Sequence, residues 1–213
     1  MLFRSPRSKL VLTVCLLLLS GCGQNVCLVS DVPLPPFGQR VSGRAPTGSG
    51  GALGNSAAAS WAADWIPGGA ERKWRFIIIH HSATRSGNAA KFDHDHRERG
   101  WDELGYHFVI GNGSMSGNGQ IEIGPRWIKQ KHGAHCKVRG HEEYNQLGIG
   151  ICLVGHFNND LPSEAQMQSL AWLVRNLMHR YGIPKSRVLG HGMLAPTDCP
   201  GTLFDFRDLY SRI

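Results

Sequence analysis

The segment that most restricts this chain is Phe76-Ile-Ile-Ile79, an uninterrupted apolar run of strand length set between Arg75 and His80. Such a run needs cover on both faces, which places it at the centre of a sheet. A second run, from about Leu147 to Val154, carries the same signature. Between and after them the pattern alternates. Asn88 to Arg99 reads as a polar amphipathic helix closed by Gly100, and Tyr106–Ile110 reads as a strand. Gly111 to Gly119 is turn chemistry, and Gln120-Ile-Glu-Ile123 alternates as a returning hairpin strand does. Ser163 with Gln166 forms a capping-box pattern ahead of a helix whose apolar residues, Met167, Leu170, Ala171, Val174, Leu177, Met178 and Tyr181, recur at helical spacing. Gly182 and Pro184 end it. Arg187-Val-Leu-Gly190 is a short strand, and a last short helix is expected from about Phe204 to Tyr210. Strands alternating with helices predict an α/β domain, a central mixed β-sheet flanked by helices.

The first seventy residues do not share this pattern. Arg4, Arg7 and Lys9 precede the apolar run 10–19, which reads as a secretory signal rather than a membrane span. Leu19-Ser-Gly-Cys22 resembles a lipobox, in which the cysteine becomes a lipidated N-terminus. From Cys22 to residue 70 the chain is rich in Pro, Gly, Ser and Ala, a composition that cannot offset the entropy of ordering. The expected organisation is therefore a lipoprotein signal peptide over 1–21, a flexible tether over 22–70 and a folded domain over 71–213. The protein is expected in the cell envelope, anchored to a membrane through lipid on Cys22. Gly23, where some bacteria use an acidic residue to retain lipoproteins at the inner membrane, points towards the outer one.

The formal charge is +7, of which residues 1–70 supply +3 (five Lys/Arg against two Asp/Glu) and the remainder +4. A mild positive field suits an anionic polymer or surface. No helix-turn-helix, zinc-finger spacing or basic-aromatic interleaving is present, so nucleic acid is not the expected partner; a monomer is expected. With Cys15 in the signal and Cys22 in the lipobox, Cys27, Cys136, Cys152 and Cys199 remain. That is too few for a dense disulfide scaffold, although one bridge stays open.

His80 and His191 each close a short apolar run, and Cys199 follows the second by eight residues. Imidazole and thiolate are the donors that zinc prefers, and three of them leave a tetrahedral position open for chemistry. His80 and His81 are adjacent, so a regular strand sends them to opposite faces and only one of them joins the set. Asp93-His-Asp-His96 offers a second metal-like cluster, but alternating charge on a polar helix is more often a solvated face.

Four blocks, Ile79-His-His-Ser-Ala-Thr84, Gly100-Trp-Asp-Glu-Leu-Gly-Tyr-His-Phe108, Tyr144 to Gly155 and Gly190 to Gly201, resemble in order and spacing the zinc N-acetylmuramoyl-L-alanine amidases. That family includes phage amidase-type lysozymes and animal peptidoglycan recognition proteins. The resemblance covers about residues 72 to 212. It implies zinc held by His80, His191 and Cys199, with Tyr106 beside the metal and with His135 and Asn145 along the substrate groove. Thr197 stands where phage members carry lysine and catalytic animal members often carry threonine. The resemblance implies that it lies beside the developing oxyanion, where a hydroxyl supplies one hydrogen bond but no full charge.

The activity implied is hydrolysis of the amide joining N-acetylmuramic acid to L-alanine in peptidoglycan, by zinc chemistry in which Tyr106 and Thr197 are the catalytic side chains. Two alternatives stay open: a non-catalytic peptidoglycan-binding module of the same fold, and a hydrolase of another secreted amide. Non-catalytic relatives tend to replace the third ligand, and Cys199 is retained.

Overall fold

The computed structural model describes residues 65–67 and 69–213. The signal peptide, Cys22, Cys27 and nearly all of the expected tether lie outside the described residues. Five strands form one sheet in the order β3-β2-β4-β1-β5. They are β1 (Phe76–His81), β2 (Phe108–Ile110), β3 (Ile121–Ile123), β4 (Gly148–Leu153) and β5 (Val188–Gly190). β1 runs parallel to β4 and β5, β2 runs parallel to β4, and only the β2–β3 hairpin is antiparallel. The sheet is mixed, and both uninterrupted apolar runs occupy its centre.

Helix α1 (Ala89–Glu98) starts at Asn88, whose side chain accepts from Lys91 N, and the chain leaves it through Gly100 at a φ of +83°. Two one-turn helices, α2 (Pro125–Ile128) and α3 (Glu143–Gln146), have no periodic signal long enough to be read from sequence. α4 (Glu164–Tyr181) begins with the expected capping box, and Gly182 ends it in the left-handed region. α5 (Phe206–Arg212) sits two residues later than expected because Asp205 caps it, accepting from Arg207 N.

The two sheet faces are covered differently. Ile77, Ile79, Phe108, Ile110, Ile151 and Leu153 pack with Met167, Leu170, Val174 and Leu177 of α4. On the other face Val109, Cys152 and Val154 pack with Ala89 and Phe92 of α1 and with Leu104. Truncating a central residue such as Ile79 to alanine costs about 2–5 kcal/mol at a site with no room to collapse.

Three further features differ from the sequence expectation. Trp65 is only 7% exposed and belongs to the core; its carbonyl accepts from Trp127 Nε1 at 2.9 Å. The folded part thus begins before residue 71, because one aromatic inside a Gly/Ala-rich stretch finds Phe108 and Trp172 to pack against. β2 begins at Phe108 rather than Tyr106, although His107 N still pairs with Gly150 O. β3 is buried throughout rather than alternating, since Glu122 turns inward and accepts from Ala89 N at the start of α1.

Candidate metal centre and its surroundings

β1 carries His80 to the carboxyl edge of the sheet, in the same cross-strand row as Cys152 and Val109 and hence on the α1 face. β5 ends at Gly190, and His191 opens the one-turn 3-10 helix His191–Met193 that follows. The next loop folds back, with Gly192 N donating to Cys199 O at 2.6 Å, and this returns Cys199 to its starting point. Donor atoms of His80, His191 and Cys199 lie within 4.8 Å of one another, and they are the only such group of three or more among the described residues. Cys199 Sγ is 3.5 Å from His80 Nδ1, and the His80 and His191 ring centroids are 4.8 Å apart.

His80 is fully buried, while His191 and Cys199 are half-buried, so the group is anchored on one side and open on the other. Desolvation holds His80 well below the usual imidazole range, helped by the neighbouring His135 and His191, and it lowers His191 as well. Both rings therefore keep a lone pair to donate at neutral pH. Burial pushes the Cys199 thiol up to about 11, against the opposing pull of the His81 backbone N–H. A cation among these donors would offset that burial and favour the thiolate. Two neutral imidazoles and one thiol, convergent and open on one side, are donors that would fit a zinc ion with one position left free.

His81 points to the other face, where its Nδ1 accepts from Phe157 N at 3.0 Å. It joins the 155–157 loop to the sheet and takes no part in the donor group. The Asp93–His96 cluster is spent on helix pairing and loop contacts: Asp93 with Arg97 and Leu104 N, Asp95 with Lys91, and His96 Nδ1 with Gly105 N.

Tyr106 is half-buried with its ring 5.3 Å from that of His80, centroid to centroid. Burial, the nearby Cys152 and Cys199 and a side-chain hydrogen bond with Cys152 all hold its hydroxyl well above the ordinary tyrosine range, so it stays protonated. Thr197 is exposed, and its Oγ1 accepts from Cys199 N at 3.3 Å, tying it to the third donor.

His135 and Asn145 occupy inner positions. Asn145 Oδ1 accepts from both His135 N, at 2.9 Å, and Cys136 N, at 3.0 Å, clamping the 133–136 loop. His135 is 8% exposed, and its ring lies behind His80, with Nδ1 3.0 Å from His80 Nε2 and Nε2 3.2 Å from Gly148 O. Both residues, expected along a groove, touch the frame of the donor group. Cys136 and Cys152 are buried and form no disulfide among the described residues. The sequence reading missed Gly133 and Gly150, where an added Cβ would approach the His135 ring to 2.2 and 2.4 Å. The alternation in Gly148-Ile-Gly-Ile was the one visible signal. A separate cavity of about 440 Å³, lined by Arg85, Asn112, His156 and Asp160 among others, contains none of the three donors.

Together, fold and site define an α/β domain with a two-histidine, one-cysteine donor group that could hold a metal ion at the carboxyl edge of a largely parallel sheet. Residues 70–202 match the family described as N-acetylmuramoyl-L-alanine amidase. The chain belongs to that family. It is 31% identical over 151 residues to the N-acetylmuramoyl-L-alanine amidase of Sus scrofa, covering 64% of this chain but only 23% of that protein. It is 32% identical over 145 residues to peptidoglycan-recognition protein 2 of Holotrichia diomphalia, covering 63% of this chain and 71% of that one. Among solved structures, the amidase LysC of Clostridium intestinale superposes with a TM-score of 0.56 at 31% identity, over 66% of this chain and 85% of LysC.

Proposed function

We propose that this protein is a zinc-dependent N-acetylmuramoyl-L-alanine amidase that removes peptide stems from peptidoglycan. The observation that carries this reading is the convergence of His80, His191 and Cys199 at an open edge, with the cysteine retained. These three residues would hold the metal, which when bound would supply a Lewis acid for the lactyl amide carbonyl and would lower the pKa of water. Tyr106 contributes a hydroxyl that stays protonated, and its role is to orient the attacking water or to assist proton transfer. Thr197 accepts from Cys199 N and keeps its own proton for the developing oxyanion. Water adds across the amide, leaving a carboxylate on the lactyl group and an amine on alanine.

The location proposed is the cell envelope, with the domain tethered to a membrane by lipid on Cys22. The apolar run 10–19 and the Leu19-Ser-Gly-Cys22 motif support it. No helix among the described residues is long and apolar enough to cross a membrane.

The test combines zinc content with digestion of purified peptidoglycan, products being identified by mass spectrometry. Zinc-loaded protein is expected to release stem peptides with a free alanine amine, and chelation is expected to stop it. Zinc-loaded protein that sediments with peptidoglycan yet leaves it intact would overturn the enzyme in favour of a binding module.

A further inference from the structure

The His135 imidazole meets that of His80 edge-on, with 74° between the ring planes, and which nitrogen carries each proton follows from their outer partners. His135 Nε2 lies 3.2 Å from Gly148 O, a carbonyl that offers only lone pairs, so in the neutral ring the single proton sits on Nε2. His135 Nδ1 is then bare. It lies 3.0 Å from His80 Nε2, and a hydrogen bond there requires that His80 carry its proton on Nε2. His80 Nδ1 is left bare in turn, and this is the atom 3.5 Å from Cys199 Sγ.

We propose that His135 is a positioning residue that fixes the tautomer and orientation of His80, so that Nδ1 is the nitrogen offered to the metal. The inference rests on the zinc-site reading above. Metal-bound histidines commonly donate their second N–H to an oxygen or water that sets the ring; here a second imidazole takes that place and hands the restraint on to a sheet carbonyl.

The socket around His135 is specific to this task. Its ring occupies space left by two glycines, since a Cβ on Gly133 would lie 2.2 Å from it and one on Gly150 2.4 Å. Its backbone is held by Asn145 Oδ1, which also takes the next N–H. The His107 ring is nearby, centroids 5.8 Å apart, and is itself fixed, with Nδ1 accepting from Gly150 N and Nε2 facing Lys131 O. The glycine socket and the Asn145 clamp thus hold the His135 ring against His80. A side chain built to touch substrate would instead need an open face.

The test measures zinc affinity by competition with a chromophoric chelator in the full chain, alongside a thermal melt for each variant. His135→Phe keeps a ring of similar shape but accepts no hydrogen bond, and zinc binding is expected to weaken by about 10- to 100-fold. His135→Gln, whose Oε1 accepts from His80 Nε2, is expected to recover most of that loss. In zinc-loaded, isotope-labelled wild-type protein, long-range proton–nitrogen correlation is expected to find His80 protonated on Nε2; this reading needs no variant to fold. Protonation of His80 on Nδ1, or a folded His135→Phe protein that holds zinc as tightly as wild type and changes only KM, would overturn the inference. Failure of the wild-type chain to bind zinc would instead overturn the zinc-site reading beneath it.

Discussion

His80 and His81 stand side by side in β1 and serve opposite faces of the sheet: the first faces Cys199, while the second accepts a hydrogen bond from Phe157 N. Strand geometry alone divides the pair, and their substitutions should separate accordingly. His80→Ala is expected to lose bound zinc. His81→Ala should keep zinc stoichiometry but lose about 1–3 kcal/mol of stability, because the buried Phe157 N–H is left without its acceptor. Metal analysis and denaturant melts of the two variants check this, and a reversed pattern would exchange their roles.

Tyr106 and Thr197 should act on turnover rather than on metal content. Tyr106→Phe and Thr197→Val are each expected to lower kcat by about two to three orders of magnitude with zinc retained, the range for removing one donor aimed at developing charge. Since the Tyr106 hydroxyl is held above the ordinary value of about 10, no loss of activity from its ionisation is expected up to about pH 9. A kcat profile that falls in that range in wild type but not in Tyr106→Phe would contradict the placement.

Asp102 links the surface to a buried cation. Burial alone would raise its carboxyl, but hydrogen bonding to Lys131 and the charge of Arg126 outweigh it and hold it at about 2. A carboxyl depressed in the folded state contributes stability above its unfolded value, near 4, that is lost as pH falls through about 2. Asp102→Asn should therefore lower Tm by a few degrees at pH 7, a modest effect because the carboxylate is half exposed, and the gap should close towards pH 2. Parallel thermal melts across that range measure it; a gap that widens on acidification would refute the assignment.

Lipid anchoring is tested at Cys22. Full-length protein is expected in the membrane pellet and labelled by a radioactive fatty acid, whereas Cys22→Ser should lose the label and leave the lipid-modified fraction. Equal labelling of both forms would exclude this anchor.

The central strands were legible because a run such as Phe76–Ile79 can be buried in few ways, and α4 was legible because its capping box and apolar period are local. His80 and His191 could be picked out as candidate metal donors by residue type and by their positions at the ends of apolar runs, and Cys199 by residue type and its place eight residues after His191. Short helices α2 and α3 carry too few residues for a period, and Trp65 joins the core only through partners far along the chain.

What the sequence determined by itself was the sheet, its covering helices and the inventory of donors, since these follow from local pattern and side-chain chemistry. Tertiary structure decided the surroundings of those donors. His135 meets His80 across 55 positions, and its place depends on the absence of a Cβ at Gly150 and on two backbone N–H groups sharing one Asn145 oxygen. Those relations exist only once the 133–136 loop lies against β4, so no spacing along the chain records them.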